Sequence, residues 1–132
     1  MEDRDLLELA AKAAGIPGAY QTAHWVDDHV AYEEAEPKIG LLITYVGAGV
    51  EMLWNPLEDD GDALRLACIL NIDIQFNRAE DEQTVQAIWP DPTDCYAGGT
   101  FTESFDPDKN AATRRAIVRA AAEIGRVIDE GK

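Results

Sequence analysis

The sequence predicts an α+β fold, an antiparallel sheet of about four or five strands with three helices, in which the N- and C-terminal helices pack on one face. Three observations predict this class. Apolar residues recur at helical spacing near both ends of the chain, and short β-rich runs lie between them. Hydrophobic residues make up 46% of the 132 residues, which suffices for one core. We therefore expect a single domain over residues 1–132.

The first helix is predicted from four residues that repeat along one apolar face. They are Leu6, Leu9, Ala10 and Ala13. Gly15 suits the left-handed residue that follows a helix, and Pro17 prevents its continuation, so the helix should end near Ala14. The irregular, acidic residues 18–38 are interpreted as an extended surface segment.

A hairpin is predicted next, with arms at residues 41–46 and 50–54 around a glycine-rich turn at 47–49. A second helix should then run to Leu70 from a cap at Asp59 or Asp60. Its buried stripe should comprise Ala63, Leu66, Ala67 and Leu70. Asn71 is a suitable stop for this helix.

Residues 72–76 alternate between apolar and polar, as a strand with one buried face does. A further hairpin should follow, with arms at 85–89 and 99–105. Asp106 and Pro107 are typical of a helix start, so the last helix should open there. Its core face should hold Ile117, Ala121, Ile124 and Ile128, with Arg114, Arg115, Arg119 and Arg126 forming a cationic strip on the exposed side.

The expected core draws on all of these elements. It comprises Leu6, Leu9, Leu42, Trp54, Leu66, Leu70, Ile74, Ile88, Phe101, Ile117, Ala121 and Ile124.

The formal net charge is −15, and it is unevenly distributed. Residues 1–106 hold 22 acidic and 5 basic side chains, whereas residues 107–132 hold 4 acidic and 6 basic ones. Direct binding to nucleic acid or to an anionic membrane is disfavoured, because phosphate recognition needs a dense cationic footprint. No uncharged stretch is long enough to span a bilayer, and the acidic start does not resemble a secretory signal, so we expect a cytoplasmic protein.

Candidate sites for catalysis or metal binding are weak. His24 and His29 flank two aspartates, but their spacing places the imidazoles on different faces of a helix or a strand. Cys68 is expected to be a buried thiol, and Cys95 lacks a cationic neighbour that would activate it. The glycine turns at 47–49 and 98–99 lack the lysine of a phosphate-binding loop. We expect no catalytic residue, no metal and no cofactor, which favours a non-enzymatic role.

Acidic clusters are the remaining candidate site, although most charge runs are simply solvated. The carboxylates assigned to binding are Asp27, Asp28, Glu33, Glu34, Glu36, Glu58, Asp59, Asp60 and Asp62. Further clusters lie at 80–82 and 91–94. The 58–62 run departs from a calcium loop, because residues 63–68 lack the later oxygen donors. If these clusters converge, they would attract a partner with a basic surface.

Two segments carry a family resemblance. Residues 54–67 (WNPLEDDGDALRLA), together with Asp106-Pro107 and residues 112–125 (ATRRAIVRAAAEIG), resemble small phage and prophage proteins of unknown function of the NinX type. The resemblance covers roughly residues 51–128 and implies a phage or prophage accessory protein acting in the host bacterial cytoplasm. It brings no catalytic residues with it. The shared residues are interpreted as structural, with Trp54 as a core anchor and Asp60 as a cap.

Three functions follow as hypotheses. The first is a non-enzymatic accessory protein that binds a host or phage protein with a basic surface. The second is an acidic DNA mimic that inhibits a host nucleic-acid-binding or defence protein. The third is a small-molecule binder with a pocket lined by Trp25, Trp54 or Trp89. The sequence leaves the oligomeric state open.

Overall fold

A computed structural model describes residues 2–16, 19–24, 37–45, 50–90 and 97–130, with side chains for residues 2–16, 54–90 and 98–130. Within these ranges the chain forms three helices and six strands. In chain order they are α1 (Asp3–Ala14), β1 (Ala19–His24), β2 (Pro37–Tyr45), β3 (Val50–Trp54), α2 (Asp60–Leu70), β4 (Asp73–Ala79), β5 (Glu82–Pro90), β6 (Ala97–Ser104) and α3 (Lys109–Glu130). The fold class is therefore α+β, as the sequence predicts.

The strands of the described chain form two antiparallel sheets of three, ordered β1-β2-β3 and β4-β5-β6. The described strands therefore do not form the single sheet of four or five strands that was expected. The predicted hairpin between 41–46 and 50–54 is confirmed as β2–β3, and the arms at 85–89 and 99–105 are confirmed as β5–β6. β1 falls within the segment predicted to be extended, and it pairs with β2.

Helix α1 begins and ends with local hydrogen bonds. Glu2 is the N-cap residue, and the carboxylate of Asp5 accepts its backbone N–H at 3.4 Å. Gly15 follows the helix in the left-handed region, with φ of 70°, so the predicted end at Ala14 is confirmed.

Helix α2 begins after Asp59, whose carboxylate accepts the backbone N–H of Asp62 at 2.8 Å. Of the two expected caps, Asp59 is therefore the correct one and Asp60 is wrong. Asn71 ends the helix at φ of 56°, which confirms the predicted stop.

Helix α3 starts two residues later than the Asp106-Pro107 pattern predicts. The carboxylate of Asp108 accepts the backbone N–H groups of Asn110 at 2.9 Å and Ala111 at 3.3 Å. Asp108 therefore caps the helix. Asp106 precedes a cis peptide bond to Pro107 and lies outside the helix.

Helix α3 is the centre of the packing, because it contacts α1, α2, β5 and β6. It is buried on more than one side, at Ala112, Ala116, Ile117, Val118, Ala120, Ala121, Ala122 and Gly125. At Gly125 an added Cβ would lie 2.0 Å from the backbone oxygen of Leu9. The helices α1 and α3 therefore approach too closely for any side chain at this position.

The second sheet presents one face to α3. Val85 and Ala87 of β5 are fully buried, and their direct partners across the sheet include Phe76 and Phe101. Trp89 continues this face and lies over Gly98 and Gly99, where an added Cβ would fall 2.3 Å and 2.7 Å from its ring. These two glycines make room for an indole rather than for a phosphate.

The expected core is confirmed at Leu6, Trp54, Leu66, Ile117 and Ala121, which are buried. Leu9, Leu70, Ile74, Phe101 and Ile124 are partly buried against it. Ile88 is only half-buried, because it alternates with the buried Val85 and Ala87 of β5 and so lies on the other face of the strand. Ile128, expected on the core face of α3, is 46% exposed and that expectation is wrong. The side chain of Leu42 lies outside the described residues.

No helix in the described part of the chain is both long enough and apolar enough to cross a membrane.

Candidate functional site

The acidic run at 58–62 has local structural partners. Asp62 is buried and its carboxylate accepts the backbone N–H of Asn55 at 3.0 Å and Nη2 of Arg65 at 2.7 Å. The side chain of Asn55 in turn accepts the backbone N–H of Leu57 at 3.0 Å. Asp59 is the cap of α2, as described above. Two of the four candidate carboxylates in this run therefore hold the turn before α2.

Asp60 connects this turn to α3. Nη1 of Arg114 donates to the carboxylate of Asp60 at 2.6 Å, and Nε of Arg114 donates to the carbonyl of Leu57 at 2.8 Å. The side chain of Arg114 is only 15% exposed, so the expectation that it belongs to an exposed cationic strip is wrong. Glu58 is the one candidate in the run that is exposed without an ion pair among the described residues.

These contacts account for much of the motif that carries the phage-family resemblance. Trp54 and Asn55 are buried, and Pro56 is fully buried. Arg114, Asp60 and Asp62 form hydrogen bonds within or between the segments at 54–67 and 112–125. In the described chain these positions therefore serve packing and helix attachment.

The second candidate cluster, comprising Asp27, Asp28, Glu33, Glu34 and Glu36, lies outside the described residues. The same holds for His29 and Cys95, and for the side chain of His24. The convergence of this cluster with the 58–62 run remains a prediction.

A different set of carboxylates meets at one end of the second sheet. The β4–β5 turn places Glu80 and Asp81 next to Glu82, which pairs with Ala79. The backbone N–H of Phe105 donates to the carbonyl of Gln83 at 3.0 Å, so Asp106 lies beside the same turn. We name Glu80, Asp81, Glu82 and Asp106 the acidic end. All four side chains are exposed, and none forms an ion pair within the described ranges.

The charge run at 80–82 was visible in the sequence, but Asp106 was missed as a surface residue. Because Pro107 suits the first position of a helix, the sequence pattern predicts that Asp106 caps the last helix. Asp108, immediately before Lys109, also suits a cap, and it is the residue that caps α3 in the structure.

An aromatic pair adjoins the acidic end. The rings of Phe76 and Phe105 lie 6.1 Å apart at 58°, and Nζ of Lys109 lies 4.8 Å from both ring centroids. Phe76 is nevertheless 46% exposed. Phe105 and Lys109 therefore contact one side of the Phe76 ring, while much of the ring stays exposed to solvent.

Basic side chains in the described chain are largely paired with its own carboxylates. Arg115 lies 3.2 Å from Asp3 and 3.7 Å from Glu103, and Arg119 lies 3.2 Å from the same glutamate. Similar pairs involve Arg4, Lys12, Arg65, Arg114 and Arg126. Arg78 and Lys109 are the exceptions among the basic side chains that the structure describes. The surplus of negative charge is consequently carried by exposed carboxylates.

One ion pair carries a pKa shift. Arg126 donates hydrogen bonds to Glu123 and Glu130. The bond from Arg126 lowers the pKa of the Glu123 carboxyl, while the bonds to both glutamates raise the pKa of Arg126. Both groups stay charged near neutral pH, so the pair is a surface contact between turns of α3 and carries no proton-transfer role there.

A groove of about 330 Å³ lies between α1, β6 and α3. It is lined by Leu6, Phe101, Arg115, Arg119, Ala122 and Glu123. The guanidinium of Arg119 lies 4.7 Å from the Phe101 ring centroid, so cationic and apolar atoms share its wall. Two of the three tryptophans expected to line a small-molecule pocket lie elsewhere, since Trp54 is buried in the core and Trp89 covers two glycines. Trp25 lies outside the described residues.

Cys68 corrects another expectation, because its thiol is free and exposed. It lies on the outer side of α2, where Leu64 and Ile69 are also exposed, at 60% and 54%. The helix buries Ala63, Leu66 and Ala67 instead. The apolar neighbours of Cys68 in sequence therefore do not indicate burial.

No group of three or more His, Cys, Asp or Glu residues that could hold a metal occurs among residues whose placement is described.

No protein-family model, curated protein or solved structure matches the chain. The resemblance to phage proteins of the NinX type therefore continues as a proposal.

Proposed function

We propose that this protein is a non-enzymatic binding protein that acts on a protein partner with a basic surface. The observation that carries the proposal is the distribution of charge. Most described cations are neutralised by carboxylates of the same chain, whereas the acidic end and Glu58 face solvent without cationic partners among the described residues. A surface of this kind attracts basic partners by electrostatic steering and repels nucleic acid and anionic lipid.

The phage or prophage origin and the bacterial cytoplasm are part of the proposal, and they are supported by the resemblance of residues 54–67 and 106–125 to NinX-type proteins. Two contacts support a fold-determining use of that motif: Asp60 attaches α2 to Arg114 of α3, and Asp62 accepts the backbone N–H of Asn55 in the turn before α2. The exposed carboxylates elsewhere would then provide the binding function.

Affinity capture from bacterial lysate at low and at high salt tests this function. The expected result is one or a few basic proteins that are retained at low salt and released at high salt, because exposed charges are screened over about 10 Å at 0.1 M salt. The control bait is an equally acidic protein of unrelated fold, which identifies proteins held by charge alone. Equal recovery on both baits, or no specific recovery at either salt, would contradict the proposal.

DNA mimicry is distinguished by a second step of the same experiment. If the captured protein binds DNA and if duplex DNA releases it from the bait, the partner site is a nucleic-acid-binding groove. If DNA has no effect on a salt-sensitive complex, the protein binds another basic surface.

A further inference from the structure

Strand β4 is a regular edge strand. It pairs with β5 through seven consecutive residues without a register shift, and no described strand pairs with its other side. By contrast, the β5–β6 pairing is interrupted at Trp89/Pro90. Proteins usually protect such edges with proline, bulges or several charges, because unpaired backbone groups accept another strand. β4 has no proline and no bulge, and Arg78 is the only charged residue after Asp73.

The exposed ring of Phe76 lies on this edge strand. Its cross-strand partner is Val85, so both side chains lie on the face that packs toward α3. Phe105 and Lys109 hold the ring from the α3 side, as described above. A strand added next to β4 would therefore place an apolar side chain against Phe76 and would bury it.

Charge identifies the kind of strand that fits. Residues 73–82 hold four carboxylates, at Asp73, Glu80, Asp81 and Glu82, and one cation, at Arg78. A second copy of this chain would bring two such segments together between molecules that each carry a net charge of −15. A basic segment would instead gain attraction at both ends of the strand.

We propose that β4 receives an extended, basic segment of the partner protein as an added strand, with an apolar side chain of that segment seated on Phe76. Backbone hydrogen bonds to the open edge supply affinity that depends little on sequence, while Phe76 and the carboxylates select alternating apolar and basic side chains. This inference rests on the proposed function and gives it a site.

A peptide probe tests the site directly. The probe is an acetylated seven-residue peptide that alternates valine and lysine, and its control replaces every lysine with glutamate. Amide chemical shifts and amide hydrogen exchange of the full chain are measured during the titration. The inference predicts perturbation centred on 73–79 and slower exchange at alternate amides of β4, since alternate N–H groups of an edge strand point outward. Binding of the glutamate control with equal affinity would overturn it.

Matched variants separate this site from general attraction between opposite charges. Phe76→Ala should lower the affinity for the lysine peptide at least about tenfold, because it removes a central aromatic anchor. Leu64→Ala removes an exposed apolar side chain of α2 and should leave that affinity unchanged. The double variant Glu80→Lys/Asp81→Lys should also weaken binding. Its control of equal charge change, Glu8→Lys/Glu130→Lys, reverses two exposed carboxylates of α1 and α3 and should have a smaller effect.

The outcomes distinguish failure of the β4 site from failure of the proposed function. The assignment of the site to β4 is overturned if the two double variants lower the affinity for the peptide equally. It is also overturned if the perturbed amides are spread over all acidic surfaces. If a basic lysate protein is captured equally by the native chain and by Phe76→Ala, the β4 site fails while the proposed function stands. If the peptide binds at β4 but no partner is captured from the lysate, the proposed function fails instead.

Discussion

At the scale of single residues, Asp62 shows how a carboxylate in an acidic run can be structural. Replacing Asp62 with alanine removes two hydrogen bonds and leaves the buried N–H of Asn55 without its acceptor. We expect the free energy of unfolding to fall by about 2–3 kcal/mol. Urea denaturation measures this change. Glu58→Ala, a change at an exposed carboxylate of the same run, should cost less than about 0.5 kcal/mol, and equal losses in the two variants would contradict the assignment.

Gly125 is required by the close approach of α1 and α3. In Gly125→Ala the new methyl group would overlap the carbonyl of Leu9, so the helices must separate. The expected loss of stability is about 2–3 kcal/mol, in the range of overpacked cores. At Gly61 an added Cβ meets only the ends of the Arg65 and Asp59 side chains, each at 3.2 Å. Gly61→Ala should therefore change stability by less than about 1 kcal/mol in thermal or urea unfolding.

Glu123 gives a dependence of stability on pH whose sign is fixed by its lowered pKa. The ion pair with Arg126 stabilises the fold above the usual glutamate pKa of 4.5, and this contribution is lost as pH falls through the lower pKa of the folded state. The stability difference between the native chain and Glu123→Gln should therefore shrink from about pH 6 to about pH 3. A difference that grows on acidification would contradict the assigned direction.

At the scale of elements, the start of α3 separates two aspartates. Asp108 accepts two backbone N–H groups of the first turn, so Asp108→Ala should cost about 1 kcal/mol. Asp106 precedes the helix, and Asp106→Ala should change stability by less than about 0.5 kcal/mol. Chemical denaturation of both variants decides between them, since a start at Asp106 would reverse their order.

The ends of helices were predictable where the backbone conformation that ends the helix favours one or two residue types. Gly15 and Asn71 both adopt positive φ, and the sequence marks them as stops for α1 and α2. The start of α3 was not predictable in the same way, because Asp106-Pro107 and Asp108 each match a cap. Only the hydrogen bonds of the first turn decide between two such matches.

Burial along α3 shows a second limit of sequence patterns. A single apolar stripe was expected, but the helix is covered by α1, by α2 and by the second sheet, and its many alanines permit this close packing. Ile128 lies in the last turns, which are exposed despite their apolar residues. A periodic pattern therefore predicts the helix itself better than the extent of its burial.

At the scale of the whole molecule, local patterns predicted strands but not their distribution between sheets. Alternation at 72–76 and β-rich runs at 41–46 and 85–89 indicate strands, yet pairing depends on contacts distant in sequence. The same limit applies to the candidate site. Glu80 and Asp106 are brought together by the hydrogen bond between Phe105 and Gln83, which no spacing in the sequence indicates.

The exposed apolar side chains also depend on the whole fold. Phe76 falls on the apolar side of the alternation at 72–76, yet it is 46% exposed, and Leu64 of α2 is 60% exposed. Phe76 lies beside an open strand edge and an acidic end, which is the combination that favours a basic partner strand.

The most direct test of the account is the affinity of a partner identified by lysate capture, measured against the native chain at low and at high salt by surface plasmon resonance. If an exposed acidic surface binds a basic protein, the affinity should fall by at least about tenfold between roughly 0.05 M and 0.5 M salt, as exposed charges become screened. An affinity that is unchanged over this range would contradict the central claim, because the complex would then depend on apolar contact alone.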